Sequence, residues 1–147
     1  MIARFETFTV LINRISRNIR KIKNQEMANH QLRSPHVSCL YYLYTQVGLT
    51  ATDLCERCEE DKATISRSLE FLETNGYLIC HDNSAKRYKS HFQLTEKGLS
   101  VGKEIADKID SVLDTVSEAL TEEQRIAFYR SLTIISSSLD TIAAKYE

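Results

Sequence analysis

Three long stretches of the chain repeat apolar residues at steps of three and four. Phe5, Phe8, Ile12, Ile15, Ile19 and Ile22 form the first. Val101, Ile105, Ile109, Val112, Val116 and Leu120 form the second, and Ile126, Tyr129, Leu132, Ile135, Leu139 and Ile142 the third. Such spacing stacks the apolar side chains along one face of an α-helix and scatters them over both faces of a strand. Only 1 proline and 4 glycines occur in 147 residues. An all-β fold with many tight turns is disfavoured, and long helices are expected. Arg14, Arg17, Arg20, Lys21 and Lys23 lie between the apolar positions of the first stretch as a solvated basic face. Its stripe has two destinations, packing against its own chain or against a partner subunit.

Helix start and stop signals divide the middle of the chain. Ser34-Pro35 reads as a capping hydroxyl followed by proline at the first helical position. The helix it opens is expected to bury Val37, Leu40, Tyr44 and Val47 and to stop near Gly48. Thr50-Ala51-Thr52-Asp53 has the form of a capping box and opens a short helix running to about Cys58. Asp61 starts another, with Ile65, Leu69 and Leu72 on one face and a stop at Asn75-Gly76. "YLICH" at 77–81 and "SHFQL" at 90–94 flank the polar, basic "DNSAKRYK" and read as a hairpin. Thr95 caps the second long helix, and Thr121 with Gln124 forms a capping box for the third.

A chain with 42% hydrophobic residues can bury one substantial core. No apolar run approaches membrane-spanning length, and residues 1–30 lack a secretory signal, so a cytoplasmic protein is expected. The 4 cysteines are then expected to be reduced thiols. The net charge of −1 conceals an uneven distribution: residues 1–95 carry 13 Lys and Arg against 10 Asp and Glu, and residues 96–147 carry 6 against 10. The first part is therefore at +3 and the second at −4, a field that could let one region meet a polyanion. There is no glycine-rich phosphate loop, nucleophile elbow or HExxH, and the histidines are scattered. No catalytic residue, cofactor or metal is expected.

Two short helices joined by a tight turn and followed by a hairpin with a basic loop make a winged helix-turn-helix. A helix fits the DNA major groove, where its N-terminal residues reach base edges. With Ile65, Leu69 and Leu72 buried, the outward set is Lys62, Ala63, Thr64, Ser66 and Arg67. Hydroxyls suit phosphates or bases, arginine suits guanine or phosphate, and the small Ala63 permits close approach. Lys86, Arg87 and Lys89 in the hairpin loop add phosphate-binding charge. Double-stranded DNA is the expected partner. A DNA-compacting protein without a defined operator is an alternative, as is a module using the winged helix for protein contacts.

Residues 50–98 resemble the DNA-binding core of the MarR family of transcriptional regulators. "TATDLCERCEEDKATISRSLEFLETNGYLI", a wing and "LTEKG" carry the resemblance, and the flanking helices are similar to the family's dimerisation region. The resemblance implies a single regulator chain over 1–147. Residues 1–33 would form an N-terminal dimerisation helix, 34–98 the winged-helix core and 99–147 the C-terminal dimerisation helices. It further implies a homodimer on a pseudo-palindromic operator, repression of transcription, and release by a small aromatic or phenolic effector. By motif position, Lys62, Ala63, Thr64, Ser66 and Arg67 would face the major groove and Arg87 the minor groove. Tyr41, Tyr42 and Tyr44 place aromatic surface near the junction where such effectors bind. Two departures stand out. Ser84 and Ala85 replace an arginine and an aspartate of the usual wing, removing a carboxylate that would orient Arg87. Glu59 and Glu60 occupy a turn that often carries glycine and an apolar residue, where they could serve the start of the next helix.

The cysteines admit three readings. Cys55 and Cys58 are spaced as in zinc knuckles and dithiol centres, and His36 with Cys39 supplies a second pair. Against zinc, Ala51, Leu54, Cys55 and Cys58 fall on one helix face, where cysteine packs as a small hydrophobe. Cys39 is expected on the flank of its helix, off the apolar seam. Cys39, near His36, and Cys80, next to His81, are candidate redox thiols of an oxidant-sensing regulator.

Overall fold

The structure is a computed structural model and describes residues 4, 6–81 and 91–147. After a π-helical turn at Glu6–Leu11 come α1 (Ile12–Glu26), α2 (Ser34–Thr45), α3 (Ala51–Cys58), α4 (Lys62–Thr74), β1 (Leu78–Cys80), β2 (Phe92–Leu94), α5 (Glu96–Ser117) and α6 (Glu122–Ala143). The fold is mainly α with a two-stranded antiparallel hairpin, in the order of a winged helix. Two compact units are present, Met1–Lys108 and Ile109–Glu147.

The first unit holds the core. Leu40, Leu54, Ile65 and Leu72 are fully enclosed, joined by Met27, Leu32, Val37, Leu78 and Ile105. Each side chain of this size stabilises the fold by about 1.5–3 kcal/mol relative to exposure. α2 is central: it packs against α1, α3, α4 and β2. Val37, Ser38, Cys39 and Leu40, four successive residues, are all buried, so α2 has no single apolar stripe. This corrects the placement of Cys39, which lies in the core with no accessible surface. Tyr44 is 36% exposed and Val47 lies fully exposed beyond the helix, which ends at Thr45; neither belongs to the core.

The start of α2 also differs from the expected cap. Ser34 is already helical and Arg33 is the capping residue, with its backbone N–H donating to His36 Nδ1 at 3.0 Å. Ser34 N–H donates instead to Asn24 Oδ1 at 2.6 Å. The serine is buried, so a side chain from α1 satisfies the orphan donor that solvent cannot reach.

The capping boxes form as the sequence indicates. Thr50 N–H donates to Asp53 Oδ2 at 2.8 Å while Asp53 N–H donates to Thr50 Oγ1 at 3.2 Å. Thr121 and Gln124 repeat the exchange at the start of α6. α4 ends at Asn75 and Gly76, with Gly76 at φ +79 and Tyr77 N–H closing on Leu72 C=O at 2.8 Å, the left-handed stop that glycine permits.

The "LTEKG" stretch locks α5 against this stop. Thr95 Oγ1 accepts from Gly98 N–H at 3.1 Å and donates to Gly76 C=O at 2.5 Å. Lys97 Nζ donates to Asn75 C=O at 2.8 Å and lies 4.2 Å above the Tyr77 ring. A Cβ on Gly98 would sit 2.0 Å from the Tyr77 carbonyl oxygen, so only glycine admits this approach. In the hairpin, Leu78 pairs with Leu94, Ile79 with Gln93 and Cys80 with Phe92.

The long apolar stripes behave differently from the core. Phe8, Ile12, Ile15, Ile19 and Ile22 are 38–54% exposed, and among the described residues none of α1 is buried. Among the described residues the stripe is therefore not enclosed by its own chain. In the second unit, Ile126, Tyr129, Leu132, Leu139 and Ile142 of α6 are exposed as well. Phe5 lies outside the described residues.

Candidate nucleic-acid interface

α3 and α4 are joined by Glu59, Glu60 and Asp61, and each residue of the turn has a separate task. Glu59 adopts the left-handed conformation at φ 53 and ends α3. Glu60 pairs with Arg20 of α1 at 3.6 Å. Asp61 starts the following helix, accepting from Thr64 N–H at 2.6 Å. This hydrogen bond and the Thr64 hydroxyl hold the Asp61 carboxyl below its usual pKa. The charge therefore persists at the positive end of the helix dipole.

Ile65, Ser68, Leu69 and Leu72 turn α4 inward. Lys62, Ala63, Ser66 and Arg67 are exposed and Thr64 is half-buried, so the five expected reading residues share the solvent-facing first turns. Arg67 Nη2 donates to Thr64 Oγ1 at 3.3 Å, which folds the guanidinium back along the helix. Ser68 is buried and donates to Thr64 C=O at 2.7 Å, leaving the outer surface to its neighbours. Glu70 and Thr74 continue the exposed face. The positive charge of α4 is thus confined to its first half.

Lys86, Arg87 and Lys89 lie outside the described residues. The base of the wing is fixed by His91, whose Nδ1 is 2.8 Å from Gly48 C=O, and by a bridge between His91 and Thr50. His81 hydrogen-bonds Gln93 across the hairpin.

A recess of about 650 Å³ opens between α3, α4 and β2. Its floor is Ile65, Leu69 and Phe92, and its rim carries Thr52, Lys62 and Ser66. Lys62 and Ser66, two of the residues expected to face DNA, therefore border a cavity that sequence periodicity alone does not reveal. The tyrosines of α2 separate: Tyr41 and Tyr42 meet edge-on at 5.2 Å, while Tyr44 covers Gly102 of α5.

Among the described residues no three His, Cys, Asp or Glu side chains are grouped to hold a metal ion. Cys80 is half-buried at the end of β1. Cys39 is buried on α2, and Cys55 and Cys58 are half-buried on α3.

No family model and no curated protein matches the chain. Solved structures do. A Staphylococcus aureus MepR–DNA complex aligns with a TM-score of 0.79 at 22% identity, over 90% of this chain and 97% of that one. A MarR-family regulator from Neisseria meningitidis aligns at 0.82 and 17% identity, over 99% and 100%. A MarR protein from Peptoclostridium difficile aligns at 0.84 and 17% identity, over 100% and 97%. At these identities the likeness concerns the backbone, and the chain has the winged-helix fold of the MarR-family regulators.

Proposed function

We propose that the chain is a MarR-family transcriptional regulator that binds double-stranded DNA sequence-specifically as a homodimer. The observation that carries this reading is the outward surface of α4. Lys62, Ala63, Thr64, Ser66 and Arg67 occupy its first turns while its opposite face is anchored in the core. A rigidly held helix with a short, polar, cationic N-terminal half has the shape and donors to enter a major groove. MepR, which shares the fold, has been crystallised with DNA. The basic residues Lys86, Arg87 and Lys89 would add phosphate contacts beside it.

The homodimer reading rests on the bare apolar faces of α1 and α6. Exposed apolar surface of this extent is energetically unfavourable in a lone chain and is relieved by an isologous partner. Two copies of α4 would then read the two halves of a pseudo-palindromic operator, repressing transcription until a small aromatic or phenolic effector changes their spacing.

Selection from random double-stranded oligonucleotides tests the reading. The expected product is an inverted repeat bound far more tightly than unrelated DNA. Arg67→Ala should weaken that binding by about 1–3 kcal/mol and relax preference at one base per half-site. A selection that yields no motif, with a steep salt dependence for all sequences, would favour the architectural alternative.

A further inference from the structure

Thr64 stands at the centre of a short chain of polar contacts at the start of α4. Its N–H donates to Asp61 Oδ1 at 2.6 Å, its C=O accepts from Ser68 Oγ at 2.7 Å, and its Oγ1 accepts from Arg67 Nη2 at 3.3 Å. Ser68 is buried and Thr64 half-buried, so this turn is anchored to the core. Threonine is branched at Cβ, which leaves its hydroxyl few positions on a helix. The acceptor offered to Arg67 is therefore fixed in place before any ligand arrives.

Arg67 is exposed and carries a long side chain with many rotamers. Two carboxylates compete for it. Glu70 lies three residues towards the C-terminus, within reach of an i, i+3 pair, and Asp61 lies at the helix start. The guanidinium turns to the Asp61 side, onto Thr64. That direction brings a cation towards the positive end of the helix dipole, and the attraction between Asp61 and Arg67 offsets the penalty. The bond to Thr64 uses one of the five N–H donors of a guanidinium. Each nitrogen still keeps a hydrogen, and a bidentate contact with O6 and N7 of guanine needs one from each of two nitrogens. The contact with Thr64 thus restrains the guanidinium without removing its capacity to read a base.

We propose that Thr64 is a positioning residue: held by Asp61 and Ser68, it pre-sets the Arg67 guanidinium to read one guanine in each half-site. This inference rests on the reading of α4 as a major-groove helix. It gives Thr64 a task other than touching DNA, since its Oγ1 acts on Arg67. A guanidinium already restrained loses less freedom on binding, so the gain falls on the base that Arg67 meets. A threonine bound to phosphate would instead strengthen binding to all sequences alike. The two roles therefore differ in where the effect of a substitution appears, at one base or at every base.

The test uses the full chain, the duplex obtained by selection and single-base variants of it at every position of the half-site. Thr64→Val keeps the backbone N–H bonded to Asp61 and the branched Cβ but removes the hydroxyl. It should lower the preference for guanine about three- to tenfold at the position that Arg67→Ala relaxes, with preferences elsewhere unchanged. Thr64→Ser should restore most of that discrimination. In the free chain, NMR relaxation of the Arg67 Nε–H should show a more restricted group in the wild type than in Thr64→Val. Should Thr64→Val fail to fold, Asp61→Asn decides: it keeps a capping oxygen, removes the attraction for Arg67 and should lower discrimination at the same position only. A wild type that selects no motif overturns the groove reading, and this role with it. Where a motif is found, other results overturn the role of Thr64 alone. These are a base other than guanine at the Arg67 position, a loss spread evenly over all positions, unchanged or tighter binding by Thr64→Val, and equal Nε–H order in both chains.

Discussion

Gly98 shows how one missing side chain sets a helix against a strand. Its helical backbone lies so close to Tyr77 that an added Cβ would meet the carbonyl oxygen at 2.0 Å and the carbonyl carbon at 3.0 Å. Backbone atoms cannot rotate aside, so α5 or the start of β1 would have to move. Gly98→Ala should lower stability by at least about 2 kcal/mol, read as a shift in the urea midpoint. Gly76 is the control, because its positive φ is occupied in open space with nothing within 4 Å of an added Cβ. There alanine should cost only the left-handed strain, about 1 kcal/mol. The glycine in "LTEKG" was readable as part of a motif, but its reason was not. The approach of Tyr77 is a tertiary fact.

At the scale of elements, local signals were legible and shared surfaces were not. Thr50 with Asp53, Thr121 with Gln124, and Asn75-Gly76 determine helix ends through bonds within a few residues, and those ends form as read. The outward face of α4 was legible for a similar reason, since one buried stripe defines the opposite side. α2 defeated the same method because neighbours on several sides bury four consecutive residues. His36 joins these two helices: its ring stacks on Phe71 of α4 at 4.3 Å and 14°, while Nδ1 accepts the Arg33 N–H that starts α2. Both roles favour the neutral ring, and burial followed by the Arg33 charge lowers its pKa. The folded chain then holds fewer protons than the unfolded chain, whose histidine titrates near about 6.5. This contribution to stability is complete above that pH and declines as pH falls through the lower folded value. Urea midpoints measured at several pH values between neutral and mildly acidic should fall for the wild type. In His36→Phe, which keeps a stacking ring without a titrating nitrogen, the fall should be shallower.

Across the whole molecule, the contrast is between a closed core in residues 1–108 and helices whose apolar residues face solvent. Burial of Leu40, Leu54, Ile65 and Leu72 needs no second chain, whereas the described apolar residues along α1 and most of those along α6 are exposed. Replacing Ile15 and Ile19 together with glutamate should therefore leave helix content intact and shift sedimentation from a dimer to a monomer. A variant that still sediments as a dimer would remove α1 from the proposed interface. The same helix is latched at its far end. Lys108 Nζ donates to Glu26 C=O at 2.9 Å and pairs with the Glu26 carboxylate at 3.4 Å, across 82 residues of chain. Glu104 joins Lys108 at 3.5 Å and meets His30 at 3.0 Å. Contacts at such separation must overcome a large loop-closure entropy and form late in folding. During synthesis this latch cannot close until Lys108 has left the ribosome, so the C-terminal end of α1 stays untethered while the 82 residues between Glu26 and Lys108 emerge.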